Sequence, residues 1–188
     1  MDLTSWIASD LDSLKMRLSG GVLQHIPLDR RHERLNELTV APTYALWHMS
    51  RHHDIAVNLM LREEQEVVVG WTERVGISGD LWRGLAEGQD QELVDTLDPE
   101  AVEGYALDLI SNTVDWLGSS DPGDLDRVPD TTAVLESLGT PHDRFDWLYN
   151  MWDGKNALFF LQWETVGHGY NHLGELMSIR NQMGLSPF

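Results

Sequence analysis

Residues 41–62 read APTYALWHMSRHHDIAVNLMLR, and the helical fold can be predicted from this segment. Pro42 suits the first turn of a helix, and apolar or histidine side chains then recur every three or four positions. Side chains at that spacing lie on one face of an α-helix and point to the core. The members of this stripe are Ala45, His48, Met49, His52, Ala56, Leu59 and Met60. We therefore predict a long helix with two histidines on its buried face.

Three further segments, at about 3–18, 98–117 and 156–183, have the same spacing of apolar side chains. We expect Gly20-Gly21 to end the first of them and Gly184 to follow the last. The inward stripe of the last segment again contains histidines. Its members are Leu161, Thr165, His168, His172, Leu176, Ile179 and Met183. The periodicity thus predicts an all-α protein built on four long helices.

Two long connectors, 63–97 and 118–154, separate these helices. We expect short elements packed over one end in the first connector, and short helical turns near 132–138 and 145–152 in the second. The 188 residues suit one domain, 1–188, with a substantial core. Long crossings between helices predict a four-helix bundle with long crossover connections rather than a simple up-down series.

The composition excludes several classes of protein. Thirteen Lys and Arg against thirty-one Asp and Glu give a net charge of −18, which disfavours nucleic acids and anionic membrane surfaces as partners. The chain has no Cys, so it can form neither disulfides nor thiolate metal sites. The first residues lack a positive region and an apolar run, and no stretch has the length of a membrane span. We therefore expect a cytoplasmic protein.

The histidines on the two stripes predict a metal site. His168 and His172 are four residues apart, so both imidazoles lie on one helix face and can reach one ion. A third imidazole from the facing helix completes a three-nitrogen site with an open position, as in catalytic rather than structural metal centres. Imidazoles without thiolates suit zinc, nickel or iron. The spacing cannot decide between His48 and His52, which also lie one turn apart.

Two stretches resemble the metal motifs of the DinB/YfiT-like metalloenzymes. Residues 41–54 resemble the first motif, LWHxxRxxD, and residues 167–180 resemble the second, HxxxHxGE followed by Ile-Arg. The resemblance implies a four-helix bundle in which His48, His168 and His172 hold a divalent ion, zinc or nickel being usual. It also implies a homodimer and leaves His52 as a neighbour of the site.

The resemblance also implies an activity. Characterised relatives include S-transferases and isomerases that use a low-molecular-weight thiol such as mycothiol or bacillithiol. We therefore expect a metal-dependent enzyme that acts with such a thiol on a small-molecule substrate, in detoxification or small-molecule metabolism. Two alternatives stay open: a metal-water hydrolase, and a non-catalytic metal-binding scaffold or stress protein. The candidate catalytic residues are His52, Glu164 and Glu175.

Other residues near the motifs have less specific interpretations. Asp54 and Glu175 match the acidic positions of the two motifs, where a carboxylate either pairs with an Arg or orients an imidazole. We interpret His53 as a residue on the flank of its helix. Trp47 points away from the inward stripe, and we expect it to pack against a connector or a partner chain.

Overall fold

The computed structural model describes residues 2–119 and 122–188, and within these ranges the chain is helical without a strand. The α-helices are, in chain order, α1 (Leu3–Met16), α2 (Pro42–Asp54), α3 (Thr72–Val75), α4 (Gln91–Val94), α5 (Pro99–Leu117), α6 (Thr131–Ser137), α7 (His142–Trp152), α8 (Ala157–Phe159) and α9 (His168–Gln182). Three π-helical segments continue or precede them: π1 (Arg17–Val22), π2 (Ile55–Arg62) and π3 (Phe160–Gly167). Short 3-10 helices cover Leu23–His25, Leu28–Arg30, Val67–Gly70 and Pro122–Asp126.

The prediction of an all-α protein is confirmed, and the four long helical segments lie where the periodicity places them. They span 3–22, 42–62, 99–117 and 157–182 when the π-helical segments are included. The first segment is longer than predicted, because π1 continues through Gly20 and Gly21 instead of ending there. The carbonyl of Gly21 accepts a hydrogen bond from the Arg180 guanidinium, so a side chain of α9 satisfies a backbone group near this helix end.

The long helices pack so that α2 contacts both α5 and α9, while α1 contacts α5, π3 and α9. Apolar side chains such as Leu11, Leu14 and Leu109 are fully buried between them, each worth about 1.5–3 kcal/mol of transfer free energy. Gly169 allows the close approach of α1 to α9, since a Cβ there would lie 2.4 Å from Leu14 Cδ2. This packing fixes the start of α9, where His168 lies.

The first connector is tied to α2 by buried charges. Asp54 accepts hydrogen bonds from the backbone amides of Val67, at 3.0 Å, and Val68, at 2.9 Å. Arg51 donates to the Leu81 carbonyl oxygen at 3.0 Å and also pairs with Asp54 and Glu66. Because removing one partner of a buried ion pair leaves an uncompensated charge, this network holds the connector in one position.

The second connector contains the two short helices that we predicted, α6 and α7. Ser120 and Asp121, at the start of this connector, lie outside the described residues. In the described part of the chain, every helix is too short or too polar to cross a membrane.

Candidate metal centre

Four histidines meet between α2 and α9. His48 and His52 lie one turn apart on α2, and His168 and His172 lie one turn apart at the start of α9. The ring centroid of His48 is 5.0 Å from that of His168 and 4.8 Å from that of His172, and the centroid of His52 is 4.6 Å from that of His168. The structure thus brings together all the stripe histidines, and at least three of them could hold a metal ion.

His48 is prepared to donate a lone pair. Its Nδ1–H donates to the carbonyl oxygen of Gly84 at 2.6 Å, so the other ring nitrogen, Nε2, is unprotonated in the neutral ring. That Nε2 atom is buried and has no hydrogen-bond partner. Burial, and then the neighbouring His52 and His172, lowers the pKa of His48 well below its usual range. His48 is therefore a neutral imidazole, the form that binds metals.

His168 and His172 face each other through their Nε2 atoms, which are 3.0 Å apart. Two nitrogens at this distance can share one ion, since Zn–N bonds are about 2.0–2.1 Å long. The Nδ1–H of His172 donates to Glu175 Oε2 at 2.8 Å, which leaves its Nε2 unprotonated. Burial lowers the pKa of His168, whose Nδ1 is buried without a hydrogen-bond partner. Glu175 thus lies where a carboxylate orients a metal-binding imidazole.

His52 differs from the other three because both of its ring nitrogens face acceptors. Its Nδ1 is 3.0 Å from Glu164 Oε2, and its Nε2 is 3.0 Å from the Leu85 carbonyl oxygen. His52 must give up one of these contacts to bind an ion. Distance alone selects His48, His52 and His168, whereas hydrogen bonding selects the predicted set of His48, His168 and His172. We favour the second set, because a ligand needs a free lone pair as well as proximity.

The candidate base Glu164 is buried, and both of its carboxylate oxygens already have partners. Oε2 contacts His52, and Oε1 accepts a hydrogen bond from the indole of Trp152 at 2.7 Å. Asp54 is also fully buried, but its partners are Arg51 and the Tyr105 hydroxyl rather than a histidine. Of the two acidic motif positions, the one at Glu175 therefore orients an imidazole and the other pairs with an arginine.

His53 lies to the side of the histidine stripe, against α5, and this flank of α2 is buried. His53 is 2% exposed, and its Nε2 donates to the Thr113 hydroxyl oxygen at 2.8 Å. Every residue of α2 is buried, because α5 covers one side of this helix, α9 covers another and the first connector lies over it. Trp47 packs against that connector, as predicted, and donates to the Arg83 carbonyl oxygen at 3.0 Å.

Two cavities adjoin the histidine cluster. The larger, of about 320 Å³, contains His48, His168 and His172 in its wall. Its other lining residues are Val40, Tyr44, Ala45, Glu87, Trp163, Asn171 and Glu175. The smaller, of about 70 Å³, is lined by His48, His52, Glu164 and His168 together with Trp147 and Met151 among others. A small molecule can therefore approach the histidines from the larger cavity, which we call the ligand pocket.

The backbone carbonyls that orient the histidines could not be predicted from the sequence. Gly84 has a φ of +99°, and a Cβ there would lie 2.3 Å from Trp47 Nε1. A glycine is thus required where the connector passes over Trp47 and presents its carbonyl to His48. The only hint in the sequence is the isolated glycine between Arg83 and Leu85. A glycine alone does not indicate that its carbonyl accepts a hydrogen bond from a histidine.

Comparison with known proteins found no match. No family model matches the chain, and no curated protein and no solved structure is similar to it. The likeness to the DinB/YfiT-like metalloenzymes therefore depends on the two motifs alone.

Proposed function

We propose that the protein holds one divalent transition-metal ion at His48, His168 and His172. The ion would activate a low-molecular-weight thiol for reaction with a small-molecule substrate. The observation that carries the proposal is the buried His48 Nε2, which has no hydrogen-bond partner, beside the Nε2 atoms of His168 and His172, which lie 3.0 Å apart. A buried polar atom left unpaired costs about 1–3 kcal/mol, and such atoms in a native structure call for an explanation, an ion included. Nitrogens that converge from two helices fit a metal ion as that partner.

The donor set also suggests the kind of ion. Three neutral imidazoles without a thiolate suit zinc or nickel and disfavour calcium or magnesium. Two of the three rings have their second nitrogen fixed, His48 by Gly84 and His172 by Glu175. Such outer contacts are the usual companions of metal-binding histidines.

A thiol-dependent reaction agrees with the surroundings of the cluster. A bound ion would supply a Lewis acid that keeps a thiol deprotonated at neutral pH. The chain has no Cys, so the thiol must come from a separate molecule, and the ligand pocket of about 320 Å³ is within the size range of small-molecule sites. His48 and His172 would hold the ion, and the side chains that line the pocket would orient the ligand.

The wider proposal follows the motif resemblance. It describes the chain as a four-helix bundle of the DinB/YfiT-like type with S-transferase or isomerase activity in detoxification or small-molecule metabolism. A homodimer and a cytoplasmic location belong to the same proposal. The hydrolase alternative has less support, because both oxygens of Glu164 and one oxygen of Glu175 already accept hydrogen bonds.

A second candidate is a metal-binding scaffold with a closed coordination sphere. It is favoured by the position of His52, whose ligand atom lies within 4.8 Å of those of His48 and His168. Four protein ligands would leave no position for a substrate, as in structural zinc sites. Whether His52 binds the ion therefore separates the two candidates.

Metal analysis of protein purified without a nickel column tests the site. We expect roughly one ion per chain in the wild type and near-complete loss in His48→Ala and His168→Ala. His142→Ala is the matched control, because this histidine is exposed at the start of α7. Equal metal content in all four proteins would overturn the site. Metal-dependent consumption of a low-molecular-weight thiol with an electrophile then tests the activity.

A further inference from the structure

The ligand pocket has an acidic wall. Glu87 and Glu175 line it, and the part of the chain that the structure describes contributes no Lys or Arg to the lining. Glu175 accepts a hydrogen bond from His172. Glu87 is exposed, and it lines both cavities beside the histidine cluster. With a net charge of −18 over the whole chain, the surrounding field has the same sign. A carboxylate on a ligand would therefore be repelled here.

Apart from the amide of the exposed Asn171, the uncharged polar side chains of the pocket offer little to an anion. The single proton of the Tyr44 hydroxyl is already shared between the carbonyl oxygens of Ala86, at 2.6 Å, and Gly88, at 2.7 Å. Trp163 is 45% exposed, so part of its indole is free to contact a ligand. The face of an indole attracts organic cations, especially quaternary ammonium groups. The wall therefore combines negative charge with an aromatic surface.

One further atom indicates where the ligand ends. His48 is 2% exposed and lines this pocket, and its Nε2 lacks a hydrogen-bond partner. In the proposed function this atom binds the metal ion, and the ion is the point at which the ligand attaches. A ligand bound there can contact Glu87 and Trp163, since both residues line the same pocket.

We propose that the thiol-bearing ligand of this pocket is cationic: its sulfur is directed to the histidine cluster, and its ammonium group faces Glu87 and Trp163. This inference rests on the proposed function, because it needs the metal to hold the thiol. It adds the charge of the ligand, which the metal site alone does not determine. Thiols that carry carboxylates are the ligands that the wall rejects.

Three thiols of similar size test the inference on cobalt-loaded protein. Thiocholine carries a quaternary ammonium, 3,3-dimethylbutane-1-thiol is its neutral isostere, and 3-mercaptopropionate carries a carboxylate. Binding is followed by the sulfur-to-cobalt charge-transfer absorption, on samples matched in cobalt content and at low ionic strength. The thiols differ in acidity, so the quantity compared is the change in each Kd between wild type and Glu87→Gln.

We expect Glu87→Gln to weaken thiocholine by about threefold and to strengthen 3-mercaptopropionate by about threefold, the scale of one exposed charge pair. The neutral thiol should change by less than about twofold. Trp163→Leu should weaken thiocholine while leaving 3-mercaptopropionate nearly unchanged. Glu136→Gln is the matched control. This substitution removes the same charge from an exposed residue of α6 that does not line the pocket.

The outcomes separate the inference from the proposed function. Unchanged Kd ratios in Glu87→Gln overturn the inference and leave the metal and thiol proposal intact. Loss of cobalt from Glu87→Gln also overturns it, because Glu87 would then be a metal ligand. If the cobalt protein binds none of the three thiols, the proposed thiol chemistry fails, and the inference fails with it.

Discussion

A hydrogen bond between the imidazole of His48 and the backbone of Gly84 links α2 to the first connector at the site. The Nδ1–H of His48 donates to the Gly84 carbonyl oxygen at 2.6 Å, which directs Nε2 toward the other histidines. Gly84 can hold that position because it has a φ of +99° and no Cβ to collide with Trp47. The orientation of the nitrogen that we propose as a metal ligand thus depends on a residue without a side chain.

Replacing Gly84 with Ala should therefore weaken metal binding although Gly84 is not a ligand. The new Cβ would meet Trp47 Nε1 at 2.3 Å, so the connector must shift and carry the carbonyl away from His48. We expect zinc affinity to fall by about 10–100-fold and the free energy of unfolding to fall by about 2 kcal/mol or more. Competition with a chromophoric chelator and urea unfolding measure the two effects. Gly88→Ala is the control, since a Cβ there meets nothing within 4 Å.

Removing His52 should leave the metal in place. Both ring nitrogens of His52 already contact acceptors, Glu164 and the Leu85 carbonyl, so the ion does not depend on them. The single variant also leaves the buried Oε2 of Glu164 without its partner, at a cost of about 1–3 kcal/mol. We therefore combine His52→Ala and Glu164→Gln in one double variant. Its metal content is compared with that of His48→Ala. Metal loss as severe as in His48→Ala would indicate four protein ligands and favour the scaffold candidate.

Glu175→Ala should lower the affinity for zinc by about 10–100-fold without abolishing the site, because the carboxylate orients His172 rather than binding the ion. Glu175→Gln should retain more affinity, since its amide oxygen can still accept from His172 Nδ1. Titration of the metal-free variants with zinc measures both. Complete loss of metal in Glu175→Gln would show that the carboxylate is itself a ligand.

The stability of the metal-free protein should depend on pH through His53. Burial lowers the pKa of His53 to about 3 in the folded chain, against about 6.5 when the chain is unfolded. The unfolded chain therefore takes up the proton first, so this contribution to stability is complete above pH 6.5 and is lost as the pH falls toward 3. At pH 5 the loss from this residue is about 2 kcal/mol.

Urea unfolding at pH 7.5 and pH 5.0, with a chelator present, measures that loss. His53→Gln keeps a nitrogen donor for Thr113 but cannot titrate, so its stability should fall by about 2 kcal/mol less than that of the wild type. The buried His48 and His168 are present in both proteins, and His53 is only the smallest of the causes that lower the pKa of His168, so their contributions largely cancel in the comparison. An equal pH dependence in the two proteins would mean that the folded state accommodates the charged His53.

The helices should persist when the metal is removed. The buried side chains of α1 and α5, such as Leu11 and Leu109, form a core that does not include the histidines. In zinc fingers, by contrast, the binding free energy is the folding free energy. Circular dichroism before and after chelation should show the same helical signal, with a lower melting temperature after chelation. Loss of most of the helical signal would identify the ion as structural.

Much of the helical architecture could be predicted from the sequence, because helix periodicity is local. The long segments around His48 and His172 were found from side chains three and four residues apart, and a residue spacing of four places two imidazoles on one helix face in any fold. The end of the first segment was predicted too early, since π1 continues through the glycine pair and a distant group satisfies the Gly21 carbonyl. Arg180 does so from the other end of the chain.

The amino-acid sequence by itself determined which residues share a helix face, the absence of thiols and the acidic charge of the chain. The tertiary structure decided which nitrogen of each histidine is free, because that depends on acceptors from other segments, the Gly84 carbonyl among them. It also decided that His53 is buried, since α2 is covered on every side. Every residue carries the same backbone carbonyl, so the sequence cannot mark the one that meets a ring nitrogen; the packing of the connector against α2 selects it.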